Sequence, residues 1–201
     1  MNNIIWDLGG VLIDWNPGYV FTDAYFGSAE KRKIFFEEIC PSDWNENQDA
    51  GYPIARATEE RVALFPEWEK PIRDFYGRWE EMLGGPLADS VELFRELKQK
   101  KGLRSFALTN WSAETFPIAL ERFDFLHWFD GRVVSGEERT RKPFPEFYRI
   151  LLDRYAVKPE DALFIDDNLR NVKAAEALGI RSVQFQSAQL LRDTLRVYNL
   201  I

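Results

Sequence analysis

Several short apolar segments of this 201-residue chain end in polar side chains of the kinds used in catalysis: carboxylates, a hydroxyl, an amide and an ammonium. In chain order these residues are Asp7, Thr109, Asn110, Lys142, Asp166 and Asp167. All but the lysine close an apolar or β-branched run, and the lysine follows soon after one; such runs are typical of buried strands. Ligands bind where the strands of an open parallel sheet end at their carboxyl edge. The spacing therefore predicts that these side chains meet at one edge of a sheet.

The predicted cluster requires cations. Two unit negative charges about 4 Å apart repel each other by about 4 kcal/mol at an effective dielectric constant near 20. Asp7 beside the Asp166–Asp167 pair therefore calls for a bound cation or a proton, and Mg²⁺ prefers oxygen ligands and commonly keeps a substrate phosphate in its shell. Lys142 supplies a second positive charge. A carboxylate nucleophile flanked by a metal and a lysine suits phosphoryl transfer.

Taken singly, each of these residues has a simpler interpretation. A lone aspartate at a strand end is usually a turn or helix-cap residue, and an Asp-Asp pair before asparagine is also common turn chemistry. The prediction depends on the order and spacing of the whole set.

The segments that would position these residues alternate between two patterns. Five runs read as strands, and three of the intervening stretches have helical spacing of apolar residues. The strands are NNIIWD, LRSFALTN, GRVVSG, DALFIDD and IRSVQF, and the helices are SVELFRELKQKKG, PEFYRILLDRYAV and NVKAAEALG. Strands separated by helices imply right-handed crossovers and a mostly parallel sheet covered on both faces. The predicted fold class is therefore α/β with a doubly wound, Rossmann-like parallel sheet.

Residues 16–83 interrupt this alternation. Their segments have helical spacing and charged faces, and none resembles a strand. Ser28 and Thr58 stand where helix N-caps are expected. We predict an α/β catalytic core formed by residues 1–15 and 84–201, with an inserted α-helical cap at 16–83.

Composition excludes several other classes of protein. The 26 Lys and Arg residues against 33 Asp and Glu residues give a net charge of -7, which disfavours nucleic acid as a partner. The single cysteine cannot form an intrachain disulfide, and there is neither a signal-peptide pattern nor an apolar stretch of membrane-spanning length. We expect a cytoplasmic protein that acts on a small substrate, with no nucleic-acid or membrane partner.

Four motifs, in their order along the chain, resemble those of the haloacid dehalogenase-like hydrolase superfamily: DLGGVLID, LTNWS, RKPFPEFY and FIDDN. The resemblance covers essentially the whole chain. It implies a sheet with strand order 5-4-1-2-3 and a mobile helical cap over the site. The chain also looks like the subgroup that contains small sugar-phosphate phosphatases and the N-terminal domain of soluble epoxide hydrolases.

The resemblance also implies a role for each motif residue. It makes Asp7 the nucleophile and Lys142 the group that neutralises both nucleophile and phosphate. It assigns phosphate binding to Thr109 and Asn110 together with Lys142. The implied Mg²⁺ ligands are Asp7, the backbone carbonyl of Gly9, Asp167 and, beside it, Asp166.

Gly9 departs from the pattern common among phosphatases of this superfamily. They carry a second aspartate there, which protonates the leaving oxygen and then activates the hydrolytic water, and such help is typically worth about 10²- to 10⁴-fold in rate. Asp14 is a candidate substitute, although a hinge hydrogen bond is the commoner role for such a residue. His127, the only histidine, lies among aromatic residues and is interpreted as structural.

Three functions follow from these observations. The first is a Mg²⁺-dependent phosphatase that hydrolyses a small phosphorylated metabolite, such as a sugar phosphate, through an aspartyl-phosphate on Asp7. The second is a 2-haloacid dehalogenase, although dehalogenases lack the paired carboxylates of FIDD. The third is a weakly active or inactive module that binds phosphate or protein.

Overall fold

The computed structural model describes all 201 residues, and its central sheet consists of the five strands predicted from the sequence. The strands of the chain are β1 (Asn3–Trp6), β2 (Ile13–Trp15), β3 (Leu83–Pro86), β4 (Arg104–Thr109), β5 (Gly131–Val134), β6 (Ala162–Asp166) and β7 (Arg181–Gln184). The central sheet has the order β5-β4-β1-β6-β7, and all of its neighbouring pairs are parallel. The predicted α/β class is confirmed. Counted among these five strands alone, and from the β7 edge, the order is 5-4-1-2-3.

The numbering differs from the sequence expectation because β2 and β3 are additional strands that the sequence analysis did not identify. They pair antiparallel with each other and form a separate two-stranded sheet. The helical segment between residues 16 and 83 leaves the core through β2 and returns through β3, so this small sheet ties its two ends together.

Eleven α-helices accompany the strands. They are α1 (Asp23–Phe26), α2 (Ala29–Ile34), α3 (Ser42–Asp49), α4 (Ile54–Leu64), α5 (Glu69–Gly77), α6 (Ala88–Lys98), α7 (Phe116–Arg122), α8 (Ser135–Glu138), α9 (Pro145–Arg154), α10 (Leu169–Glu176) and α11 (Ala188–Val197). The predicted helices in SVELFRELKQKKG, PEFYRILLDRYAV and NVKAAEALG correspond to α6, α9 and α10. None of the eleven is long and apolar enough to cross a bilayer.

Side chains from the two faces of the sheet enter two different apolar clusters. Successive residues of a strand point to opposite faces, so Ile4 and Trp6 of β1 lie in one cluster and Ile5 lies in the other. Each of these three side chains is at most 1% exposed. Helices therefore cover both faces, and the carboxyl edge of the sheet is the part left for a ligand.

The helical segment between β2 and β3 has an apolar cluster of its own, which includes Phe21, Phe35 and Phe75. The rings of Phe21 and Phe35 have their centroids 4.8 Å apart. The Ser28 hydroxyl accepts a hydrogen bond from the N–H of Lys31, as expected of an N-cap. That residues 16–83 form a cap domain separate from 1–15 and 84–201 stays a prediction.

The prediction that Thr58 is an N-cap was wrong. Helix α4 begins at Ile54, directly after Pro53, so Thr58 lies inside the helix and is buried. Pro53 occupies the N-cap position of α4 in an extended conformation, and the threonine pattern did not reveal this start of the helix.

Phe35→Ala is expected to lower the free energy of unfolding by about 3 to 5 kcal/mol, because it removes a fully buried ring and leaves a cavity. Denaturant unfolding followed by circular dichroism measures the change. Leu64→Ala, at a 67% exposed position of α4, is the control and should change stability by less than about 0.5 kcal/mol. Equal losses in the two variants would contradict the assignment of Phe35 to a packed core.

Candidate active site

Lys142 is buried between two carboxylates at the carboxyl edge of the sheet. Its Nζ lies 2.8 Å from Asp7 Oδ1 and 2.7 Å from Asp166 Oδ2. Lys142 and Asp166 are fully buried, and Asp7 is 8% exposed. A buried ammonium that bridges two carboxylates replaces the water that each charge loses on folding.

The register of two neighbouring strands places the two carboxylates side by side. Trp6 of β1 is paired with Ile165 of β6, and the N–H of Asp7 donates to the carbonyl of Ile165 at 2.8 Å. Asp7 and Asp166, one residue further along each strand, therefore reach the edge together. The sequence prediction that these side chains converge agrees with this geometry.

Asn110 positions Lys142 from the loop after β4. Its Oδ1 accepts from the backbone N–H of Lys142 at 2.8 Å, and its Nδ2 donates to the Lys142 carbonyl at 3.0 Å. This pair of bonds holds the main chain of the lysine. Thr109, the last residue of β4, is 1% exposed and contributes no side-chain surface to the cavity described below.

The two adjacent aspartates after β6 have different surroundings. Asp166 accepts hydrogen bonds from the backbone N–H of Asn168 and from the Asn171 amide in addition to its contact with Lys142. Asp167 is exposed, and its carboxylate lies against Gly10. A Cβ on Gly10, whose φ is +72°, would come within 2.4 Å of Asp167 Oδ2, so glycine is required for this close approach.

Burial and neighbouring charge act together on these groups. Burial raises the pKa of Asp7 to about 7, with Asp166 adding to the rise and Lys142 opposing it. For Lys142, burial favours the neutral amine, but the charges of Asp166 and Asp7 outweigh it and raise the pKa above its usual range. Although Asp167 is exposed as a whole residue, the surrounding protein partly desolvates its carboxyl, and this desolvation together with the charge of Asp166 raises the pKa of Asp167.

Three carboxylates in this cluster could hold a metal ion. Asp7, Asp166 and Asp167 each offer one oxygen, and these oxygens lie within 4.8 Å of one another. Three carboxylates and one ammonium leave two net negative charges when all are ionised. An all-oxygen donor set with that charge fits a hard divalent cation.

A cavity of about 360 Å³ opens over the cluster. Asp7, Gly9, Asn110, Lys142 and Asp167 line its floor. Trp15 of β2 also lines it, and residues of the helical segment complete the wall, among them Asn45, Glu46, Asp49 and Phe75. A smaller cavity of about 100 Å³ shares Gly9, Trp15, Asn45, Asp49 and Asn110 with the first. The two cavities together form a chamber between the helical segment and the sheet.

Glu46 of α3 joins the helical segment to the core. It lies 2.6 Å from a guanidinium nitrogen of Arg141 and 2.6 Å from one of Arg170. Arg141 immediately precedes Lys142, and Arg170 lies in the first turn of α10, three residues after Asp167, so this carboxylate is held by both sides of the site. The Arg141 pair is mostly buried, with side-chain exposures of 14% and 18%.

Asp14 does not line either cavity. Its carboxylate accepts a hydrogen bond from the Tyr19 hydroxyl and lies against Gly84 of β3. Asp14 therefore joins β2 to the returning chain, which matches its interpretation as a hinge residue. His127 contacts the carbonyl of Leu120 at 3.0 Å and is likewise outside both cavities.

Comparison with known proteins identifies the family. The sequence pattern of the haloacid dehalogenase-like hydrolases matches residues 1–179. The chain belongs to that family. The predicted resemblance, and the prediction of a hydrolase, are confirmed.

Two phosphatases are similar to this haloacid dehalogenase-like hydrolase over most of its length. A sesquiterpene phosphatase of Aspergillus oryzae is 30% identical over 88% of this chain and 85% of its own. A phosphorylated carbohydrates phosphatase of Thermotoga maritima is 26% identical over 91% of this chain and 84% of its own. A drimenol cyclase of Aspergillus calidoustus is 30% identical over 90% of this chain, which spans 33% of that longer protein.

Solved structures share the fold. A HAD-like family hydrolase of Porphyromonas gingivalis superimposes with a TM-score of 0.73 over 98% of both chains, at 21% identity. A HAD family enzyme of Bacteroides thetaiotaomicron, solved with magnesium and inorganic phosphate, gives a TM-score of 0.69 over 92% of this chain and 94% of its own, at 20% identity.

Sequence reasoning missed two residues that line the chamber, Glu46 and Asp49. Both lie in NENQDAG, at the end of a polar helix whose charges are typical of a solvated face. The only available signal was the spacing of three, which puts the two carboxylates on neighbouring positions of one helix face.

Lys142→Met is expected to lower the free energy of unfolding by about 3 to 5 kcal/mol at pH 8, because it leaves Asp7 and Asp166 buried without their cation. The loss should shrink as the pH falls towards 5. An unpaired buried carboxyl has a raised pKa, so the native state takes up protons that the unfolded state does not, and stability rises as the pH falls.

Denaturant titrations at both pH values, in the presence of EDTA, measure this effect. Lys98→Met, which breaks a partly exposed pair with Asp130, is the control and should cost less than about 1 kcal/mol. A Lys142→Met loss that is small, or that does not depend on pH, would contradict the buried ion-pair account.

Proposed function

We propose that this protein is a Mg²⁺-dependent phosphatase that hydrolyses a small phosphorylated metabolite through an aspartyl-phosphate on Asp7. The observation that carries the proposal is the carboxylate cluster of Asp7, Asp166 and Asp167, which surrounds one buried ammonium at the floor of a cavity. The two similar phosphatases support the reaction class. Their names differ in substrate, so the proposal stays at the level of a small phosphate ester.

Asp7 is the proposed nucleophile because one of its oxygens is held and the residue faces the cavity. Lys142 contacts Oδ1 and keeps the carboxylate oriented. The N–H of Leu8 also donates to Oδ1 at 2.8 Å. Attack of Asp7 on phosphorus forms an acyl phosphate and breaks the ester bond, and water then hydrolyses that acyl phosphate.

The proposed Mg²⁺ ligands are carboxylate oxygens of Asp7 and Asp167 and the backbone carbonyl of Gly9. Asp166 completes the negative cluster, while its hydrogen bonds to Asn168 and Asn171 hold it in place behind Lys142. When bound, the ion would neutralise charge on the phosphoryl oxygens. Asn110 would keep the lysine at the phosphate by its two bonds to the Lys142 backbone. The roles of Thr109 and Asn110 in binding phosphate oxygens are proposed on the family resemblance.

The helical segment of residues 16–83 is the proposed cap. It covers the cavity and contributes Asn45, Glu46 and Phe75 to its wall, so it would determine which leaving group fits. A covered site excludes bulk water from the acyl phosphate. A cavity of about 360 Å³ suits a small metabolite rather than a polymer.

Asp7→Asn is expected to abolish Mg²⁺-dependent phosphate release, because a neutral amide cannot form the acyl phosphate. A panel of sugar phosphates, nucleotides and p-nitrophenyl phosphate, assayed with Mg²⁺ and with EDTA, measures it. Release by the wild type that persists in Asp7→Asn would refute the nucleophile. Halide release from 2-chloropropionate without any phosphate release would favour the dehalogenase. No product in either assay would favour a binding module.

Asp167→Asn is expected to weaken Mg²⁺ binding by about 10- to 100-fold, because it removes one charged oxygen ligand and leaves the fold intact. Isothermal titration of the protein with MgCl₂ measures the affinity without any substrate. Asp193→Asn, at an exposed site on α11, is the control and should bind as the wild type does. An unchanged affinity in Asp167→Asn would refute this ligand.

A further inference from the structure

Gly9 leaves the proposed reaction without an obvious proton donor. A Cβ added at Gly9 would meet no atom within 4 Å, so the space beside this residue is open. An alkoxide is a poor leaving group unless a proton reaches its oxygen as the ester bond breaks. A carboxyl that reaches the chamber from elsewhere in the fold would supply this proton.

Asp49 lies in the right part of the molecule to be that group. It is the last residue of α3 and lines both cavities, each of which Gly9 and Asn110 also line. Apart from Asp7 and Asp167, which belong to the carboxylate cluster, the acidic residues of the larger cavity are Glu46 and Asp49. Glu46 is held in ion pairs by two arginines, whereas Asp49 forms no ion pair.

The side chain of Asp49 is held in place by its own neighbours. Asn45 Nδ2 donates to Asp49 Oδ2 at 2.9 Å, and the Tyr76 hydroxyl in turn donates to Asn45 Oδ1 at 2.9 Å. The Ser135 hydroxyl donates to the main-chain carbonyl of Asp49, which attaches the end of α3 to α8 of the core. Asp49 is therefore positioned by both the helical segment and the core.

The charge state of Asp49 suits proton transfer near neutrality. Burial raises the pKa of Asp49 to about 7, and the nearby charge of Glu46 contributes to the rise. The backbone of Ser112 and the charge of Arg141 act in the opposite direction. A general acid is most effective when its pKa lies near the working pH.

We propose that Asp49 protonates the leaving oxygen and then accepts a proton from the hydrolytic water, so that a residue of the helical segment replaces the side chain absent at Gly9. This assignment rests on the proposed phosphatase function. It also implies that the site is complete only when the helical segment lies over the sheet, because Asp7 and Asp49 come from different parts of the fold.

The two half-reactions balance. In the first, an oxygen of Asp7 bonds to phosphorus, the ester P–O bond breaks with its electron pair on the alcohol oxygen, and that oxygen takes the proton of Asp49. In the second, the Asp49 carboxylate takes a proton from water as the water oxygen bonds to phosphorus. The acyl phosphate bond then breaks, inorganic phosphate leaves, and Asp7 and Asp49 return to their initial states.

The dependence of activity on the leaving group tests this assignment. Asp49→Asn should lower kcat/KM by about 10²- to 10⁴-fold for the alkyl phosphate that the wild type hydrolyses best. For p-nitrophenyl phosphate, whose phenolate leaves without a proton, kcat/KM of the same variant should fall by less than about fivefold. Asp43→Asn, on the exposed face of the same helix, is the matched control and should hydrolyse both substrates as the wild type does.

Rescue and pH dependence provide two further readouts. Adding Gly9→Asp to Asp49→Asn should restore part of the activity on the alkyl phosphate, because it places a carboxyl in the open space. The ratio of wild-type to Asp49→Asn kcat/KM for the alkyl phosphate should fall as the pH rises through about 7, since Asp49 then loses the proton it donates. The ratio cancels the titration of Asp7, which both proteins share. The other titratable or charged groups around Asp49 are Glu46, Tyr76, Glu114, Arg141 and, across the chamber, Asp7, Lys142 and Asp167.

Stability supplies a measurement that does not depend on turnover. The raised pKa of Asp49 means that the native state binds more protons than the unfolded state between the usual aspartate pKa and about 7. Wild-type stability therefore falls with rising pH across this range, and Asp49→Asn should show a smaller fall. Asp49→Ala removes the carboxyl without a new amide and should give the same substrate selectivity if Asp49→Asn folds poorly.

The outcomes distinguish a failure of the Asp49 assignment from a failure of the proposed phosphatase function. Equal losses of kcat/KM for the alkyl and p-nitrophenyl substrates in a folded Asp49→Asn or Asp49→Ala protein, or no loss of kcat/KM for either, would overturn the role of Asp49 and leave the phosphatase intact. A wild type that releases phosphate from no substrate would overturn the phosphatase proposal and the role of Asp49 with it. A selective loss, with rescue by Gly9→Asp, is the expected result.

Discussion

The architecture of the site depends on one buried ammonium. Lys142 lies between Asp7 and Asp166, and neither carboxylate could be buried at the end of its strand without it. Its main chain is held by Asn110, so three strand ends of the sheet meet at a single cation. The parallel register of β1 and β6 places the two carboxylates side by side. The chamber lies directly over the charge that they carry.

The chamber above the cluster affects the strength of the ion pairs within it. An ion pair is stronger in a medium of low dielectric constant than in water, and the helical segment lowers that constant by covering the site. Glu46 connects the segment to Arg141 and Arg170, which adjoin Lys142 and Asp167 in the chain. The helical segment is therefore attached to the chain beside Lys142 and to the start of α10. Its attachment also includes apolar packing, because the buried ring of Trp79 contacts Trp111 with the ring centroids 5.6 Å apart.

The division of labour follows from this arrangement. In the proposed reaction, the sheet edge would hold the groups for attack and for charge neutralisation, and the helical segment would supply side chains around the leaving group. Gly9 offers no carboxyl there. The proposed role of Asp49 would extend the chemistry into the helical segment and couple proton transfer to the position of that segment over the sheet.

The sequence by itself determined the five parallel strands, the helices that cover them and the residues at the strand ends. These follow from local patterns: alternation of apolar residues, helical spacing, and polar residues where a strand stops. Tertiary structure decided the rest. The β2–β3 pair joins residues about 70 positions apart, and helix α4 begins at Ile54 rather than after Thr58. Asp49 lines the chamber because α3 packs against α8 of the core, and the periodicity of a polar helix does not indicate which distant segment it will contact.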